Sequence, residues 1–317
     1  MVDLAWYADP TLQTVAVAGA IIGAISGALG VPAYLRRESL IGDVIAHSTL
    51  LGIIAAFVLS YWVTGDGKRT ASVLLPGAII GGLLASATLR WIERTTRLKP
   101  DAGLGVLLAI FFATAMVGLH VVQRSDPAIP NRAGLDTYLF GMAAATTRSD
   151  LITIAGLGGV SVVVMTLLWC RLKLFAFDPL YGRSLGIAPA VPSTVLSMLS
   201  VLGIVVGLQT VGVILMTSML IAPAAAARQW TRGVGSMTLL ASAIGAGSAA
   251  IGAVISGVIR HLPTGPVIVL VLTVIVAVSI LLAPGRGLLW PNRSTSDSIP
   301  DRPAIDGPIA GDASRDD

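Results

Sequence analysis

Residues 40–60 read LIGDVIAHSTLLGIIAAFVLS, and among them only Asp43 and His47 can ionise. A run this long and this apolar crosses the roughly 30 Å hydrocarbon core of a bilayer as an α-helix. In lipid, each backbone N–H and C=O has to be satisfied within the segment, which is what a helix does. The stretch therefore sets the fold class: a helical membrane protein. It also poses a question, because desolvating a carboxylate and an imidazole inside a span is costly.

The rest of the chain agrees with that class. It is 55% hydrophobic and 12% charged, with a mean hydropathy of +0.84, outside the range of soluble globular domains. Apolar windows fall at 12–33, 40–60, 73–92, 103–122, 150–170, 192–208, 210–227, 236–259 and 265–284. The expectation is an all-α polytopic bundle of about eight to nine transmembrane helices. Thirty-five glycines suit closely approaching helices, since small residues permit backbone contact in lipid. Two places are ambiguous. Residues 192–227 are either two short segments meeting at Gln209 or one long helix and a short re-entrant piece. Residues 135–145 are too short to cross and read as an interfacial or re-entrant helix.

Charge supplies an orientation. Of the 21 Lys and Arg residues, six (Lys68, Arg69, Arg124, Arg132, Arg148 and Arg260) fall on one set of alternate loops and the other fifteen on the opposite set. The positive-inside rule then puts the N-terminus outside and the C-terminus in the cytoplasm. The leader MVDLAWYADP has no basic residue, so the first span reads as retained rather than cleaved. From Pro291 the chain turns to Ser, Asp, Pro and Gly. That composition cannot bury enough apolar area to offset its ordering entropy. The domain reading is a permease-type transmembrane unit over 1–290 and a disordered cytoplasmic tail over 291–317.

Several function classes are absent from the sequence. It has no phosphate-binding G-x-x-x-x-G-K-[ST] and no H-E-x-x-H, and no catalytic set is expected. The single cysteine, Cys170, excludes an internal disulfide or a cysteine-clustered metal site. The net charge of +4 lacks a basic cluster with interleaved aromatics, so nucleic acid is not an expected partner; the lipid bilayer is.

Four residues on an α-helix subtend about 400°, so Asp43 and His47 project from one face, one turn apart. A carboxylate oxygen with an imidazole nitrogen suits Mn2+, Zn2+ or Fe2+ better than Ca2+ or Mg2+. Two donors make an incomplete shell, which an equivalent pair from a second subunit would complete. The other reading is a hydrogen bond between Asp43 and His47 that satisfies both. From the spacing alone both readings stay open.

The sequence YLRRESLIGDVIAHSTLLGI (34–53) resembles the signature of permease subunits in the manganese, zinc and iron family of ABC transporters. Three later stretches resemble that family's landmarks in the same order. They are YLFG (138–141), LFAFDPLYGRSLGI (174–187), and VGVILMTSMLIAPAAAA (211–227) followed by PTGPVIVL (263–270). The resemblance implies a type II importer-like permease that works as a dimer with a second copy or a paralogue. It further implies two cytoplasmic ATPase subunits that supply ATP hydrolysis, and an extracellular or periplasmic metal-binding protein. On that resemblance the protein sits in a prokaryotic cell membrane, holds no permanent cofactor and is not itself an enzyme. Asp43 and His47 then line the metal path, and Phe177, Asp178, Pro179, Gly182 and Gly186 form an ATPase-coupling element. The residues themselves allow Asp178 to cap a short helix starting at Pro179. Two positions depart from the family. Leu51 replaces the proline usual before Gly52, removing the basis for a kink. Gly182 replaces an alanine, lowering helix propensity at the docking element.

Other residues read more simply. Pro223 removes a backbone donor and is expected to break or bend its helix near the pore. Met216 and Met219 are either pore contacts or packing. His120 and His261 lie near external helix ends, and Glu38 beside Arg36 and Arg37 reads as a surface ion pair. The competing function is a stand-alone secondary transporter or channel for divalent cations or protons, without an ATPase; a membrane hydrolase is a third, with no general base to offer.

Overall fold

The computed structural model describes residues 10–36, 40–65, 70–98, 100–125, 129–132, 134–135, 137–141, 147–177, 179–184, 190–259 and 262–283, and among them forms twelve helices and no strand. In chain order these are α1 (Pro10–Leu35), α2 (Ile41–Thr64), α3 (Ala71–Thr95), α4 (Pro100–Arg124), α5 (Thr137–Phe140) and α6 (Arg148–Leu167). They continue with α7 (Trp169–Phe177), α8 (Pro179–Ser184), α9 (Ala190–Val211), α10 (Val213–Trp230), α11 (Val234–Val258) and α12 (Thr264–Leu282). Eight are long and apolar enough to cross a membrane: α1, α2, α3, α4, α6, α9, α11 and α12. The less apolar α10 has 18 residues and covers about 27 Å at 1.5 Å per residue, close to the hydrocarbon thickness. The tail from 291 onward lies outside the described residues.

The ambiguous stretch 192–227 resolves into two helices, α9 and α10. They part at Gly212, not at Gln209, which lies inside α9. Gly212 has φ 88°, a left-handed value open to glycine at no steric cost. Its N–H donates to the Leu208 carbonyl and closes α9, and its own carbonyl accepts from Met216 at the start of α10. Above this turn sits α5, with Tyr138 and Leu139 buried and Gly141 against the backbone of Thr210 and Val211. The expected re-entrant helix is thus one turn of helix packed on the α9–α10 junction; residues 142–146 of that stretch lie outside the described residues.

The centre of the bundle is α1. Its Gly19, Gly23 and Gly27 meet Ala249, Gly245 and Ala241 of α11, so two stripes of period four run antiparallel. Residues four apart share a helix face, and small residues there let the backbones touch. A Cβ on Gly23 would strike the Gly245 carbonyl. A second such seam joins α2 to α3, where Gly52 faces Gly77 and Gly81. The outer surface is apolar, as lipid requires: Leu239 is 76% exposed and Trp62, in the last turn of α2, is 81% exposed. Trp91 takes the equivalent place near the end of α3, and such aromatics settle at the membrane interfaces. The start of α6 is fixed by a reciprocal cap. Thr147 N–H donates to Asp150 Oδ2 at 2.9 Å, and Asp150 N–H donates to Thr147 Oγ1 at 3.3 Å.

Candidate functional site

Helix α2 starts after Leu40, which supplies no side-chain cap. Asp43 is the acidic residue of the first turn, where the unpaired N–H groups favour negative charge. One turn later comes His47. Both are partly buried, and Gly42 brings this turn against the side chain of Leu220 on α10.

Asp43 borders a cavity of about 400 Å³ between α2, α10 and α12. Its polar lining besides Asp43 consists of the hydroxyl residues Thr217, Ser218 and Thr273, and the remainder is apolar. Thr273 Oγ1 donates to the Val269 carbonyl at 2.8 Å, which leaves its lone pairs available as acceptors. The cavity therefore offers a carboxylate and hydroxyl oxygens to anything that enters it.

His47 takes its orientation from a different helix. Its ring meets the Phe112 ring of α4 edge-on, with centroids 4.8 Å apart and planes at 73°. Its Nδ1 is buried and makes no hydrogen bond. The hydrogen bond between Asp43 and His47 that the spacing also allowed does not form through Nδ1. A buried imidazole nitrogen without a partner is a costly arrangement unless something else occupies it. Among the described residues no group of three or more His, Cys, Asp and Glu gathers anywhere; Asp43 lines the cavity, whereas His47, one turn further along α2, is not among its lining residues and lies against α4.

Pro223 does not break α10, which continues from Val213 to Trp230. Its neighbours Ala222 and Ala225 line the Asp43 cavity, so the missing backbone donor falls beside it. Met216 and Met219 have no exposed surface, and the Met216 sulfur lies over Gly207 of α9. Both are packing residues. His120 is exposed, and His261 and Glu38 lie outside the described residues.

The expected coupling segment forms α7 and α8. Gly182 of α8 is buried against Leu174 of α7. Asp178 and Gly186 lie outside the described residues, Phe177 and Pro179 enter as the end of α7 and the start of α8, and the cap expected from Asp178 cannot be placed. Next to Leu174, Phe175 is buried and carries the Arg36 guanidinium 4.1 Å above its ring centroid.

Sequence reasoning missed the three hydroxyl residues, Phe112 and the Arg36–Phe175 contact. The adjacent Thr217 and Ser218 in an otherwise apolar span were the available signal for the first. Nothing local pointed to the others.

Comparison with known proteins adds a separate line. The ABC 3 transport family matches residues 8–283. The zinc transport system membrane protein TroC of Treponema pallidum (strain Nichols) is 39% identical over 284 residues, 90% of this chain and 93% of that protein. The manganese transport system membrane protein MntC of Bacillus subtilis (strain 168) is 36% identical over 279 residues, 88% of this chain and 62% of that protein. Among solved structures, PsaBC from Streptococcus pneumoniae in complex with Fab has a TM-score of 0.75 at 28% identity, covering 89% of this chain and 95% of that one.

Proposed function

The chain belongs to the ABC 3 transport family and is a multi-pass membrane permease subunit, and we propose that it forms half of the conduit of an ATP-driven importer of Mn2+, Zn2+ or Fe2+. The observation that carries this reading is the pairing of Asp43, open to a cavity with hydroxyl oxygens, with His47, whose buried Nδ1 has no hydrogen-bond partner. A hydrated divalent cation gives up water for oxygen and nitrogen donors one at a time, and these groups supply such donors in the right order of hardness. Two ligands per chain hold an ion only transiently, as conduction demands. A second copy or a paralogue contributes the facing pair. The relatives named for zinc and for manganese transport support a first-row divalent cargo without choosing among them.

In this reading the chain hydrolyses nothing itself. Cytoplasmic ATPase subunits grip α7 and α8, and an external metal-binding protein delivers the ion to the outer face. The N-terminus lies outside, and the C-terminus and the tail over 291–317 lie in the cytoplasm, in line with the distribution of Lys and Arg. Movement of the ATPases on ATP binding opens the conduit alternately to the two sides.

The test is metal uptake by the assembled transporter carrying Asp43→Ala or His47→Ala. Uptake is expected to fall to background in each, with subunit assembly and ATP binding retained. Native uptake in both variants would remove the site.

A further inference from the structure

The metal pair and the ATPase-docking element lie on different helices, and a contact that joins them is described by neither assignment. Gly182 of α8 packs on Leu174 of α7. The next residue, Phe175, is 9% exposed and lies under the Arg36 guanidinium at 4.1 Å. Arg36 follows the last residue of α1 and is tied to it by its N–H bond to the Pro32 carbonyl at 3.2 Å. One and a half turns back along α1, Gly30 rests against the backbone carbonyl of Leu220 on α10, and the side chain of the same Leu220 touches Gly42 of α2. Asp43 is the next residue, and Ile221 lines its cavity. A continuous series of packed groups thus runs from α8 to the carboxylate.

We propose that the Arg36–Phe175 cation–π contact is the joint through which displacement of α8 reaches Asp43. The proposal rests on the reading of α8 as the ATPase-docking element. Its physical basis is the stiffness on either side of the joint. Along its length α1 is locked to α11 by the glycine stripes, and near its cytoplasmic end Tyr34 and Leu35 pack on Val31, Ala224 and Met237. Pro32 removes one backbone donor between Arg36 and Gly30, so displacement at Arg36 is carried to Gly30 and Leu220 by the packed side chains that flank this turn, Tyr34 and Leu35 among them. The first turn of α2 has no side-chain cap, so its position is set by packing, in which Leu220 against Gly42 takes part. Leu172 and Trp169 of α7 also pack into the core, but the link at the end of α1 is the face of one aromatic ring against one cation, an interaction that depends on the ring and on the charge and not on apolar bulk. Phe175 and Arg36 are positioning residues in this account; neither touches the ion.

The experiment uses the complete transporter, permease with its ATPase subunits, in proteoliposomes. Co-purification of the ATPase, ATP hydrolysis, and uptake of Mn2+ and of Zn2+ are read in parallel. Phe175→Leu keeps the bulk and removes the ring; Arg36→Gln keeps the length and removes the charge. Both are expected to assemble and hydrolyse ATP at close to the native rate while ions moved per ATP drop about tenfold, within the usual range of coupling between sites. Phe175→Trp and Arg36→Lys restore the interaction and are expected to recover most of the ratio. A native ratio in Phe175→Leu, or an equal loss in Phe175→Leu and Phe175→Trp, overturns the joint. Failure of the docking reading looks different: Gly182→Trp, which crowds α8 against Leu174, would then leave ATPase co-purification unchanged.

Discussion

The His47 imidazole and the Phe112 ring meet edge to face, 4.8 Å between centroids and at 73°, so a residue of α4 bears on the direction of a group carried by α2. An edge-to-face pair adds about 0.5–1.5 kcal/mol beyond its area burial, enough to select one orientation. The unpartnered Nδ1 is held still by an apolar neighbour, not by a hydrogen bond.

Phe112→Leu is therefore expected to loosen His47 without altering either proposed donor. The apparent KM for metal uptake should rise about two- to tenfold, the factor that corresponds to losing such a ring contact. Concentration series of uptake in proteoliposomes check this, and a KM equal to the native one would mean that Phe112 does not orient the imidazole.

The seam between α1 and α11 yields a prediction with opposite signs at two glycines. At Gly23 a Cβ strikes the Gly245 carbonyl, whereas at Gly247, on the same helix α11, it meets nothing within 4 Å. Gly23→Ala should destabilise by about 1–3 kcal/mol through overpacking. Gly247→Ala should stabilise by about 0.5–1 kcal/mol through the lower conformational entropy of alanine. Thermal unfolding of the detergent-solubilised protein distinguishes them by the direction in which Tm moves.

Between α10 and α12, Trp230 Nε1 donates to Ser279 Oγ at 2.6 Å. Double-mutant cycles on interhelical hydrogen bonds in membranes average about 0.6 kcal/mol. Trp230→Phe and Ser279→Ala, alone and combined, should give a coupling of that size in a cycle read by unfolding. Strict additivity would leave the two side chains energetically independent.

The reciprocal cap at the start of α6 is open to a single substitution. Thr147→Ala removes the oxygen that accepts from Asp150 N–H, at a cost of about 1 kcal/mol. Hydrogen exchange should rise in the first turn of α6 and stay unchanged in α9, and an unaltered first turn would mean that the box contributes nothing there.

The spans and the membrane class were legible because each depends on neighbours within a turn or two of one helix. Even the ambiguous stretch at 192–227 carried its answer locally, since Gly212 alone among its immediate neighbours Gln209, Thr210, Val211 and Val213 lacks a Cβ and so takes φ 88° freely. What stayed hidden depends on which faces meet. Thr217 and Ser218 on α10 and Thr273 on α12 join Asp43 only once three helices assemble. Arg36 and Phe175 lie far apart in the chain, and the local reading of Arg36, with Glu38 as its partner, was chemically sensible and blind to α7. Helical periodicity names the buried side of a span; it does not name the neighbour.

The cavity next to Asp43 has walls of unequal stiffness. On one side α10 is wedged among α1, α2, α9 and α11. On the other, α12 turns Leu270, Val274 and Val278 outward and is among the least enclosed of the spans. Widening the cavity at the α12 wall would therefore displace less packing than widening it at α10.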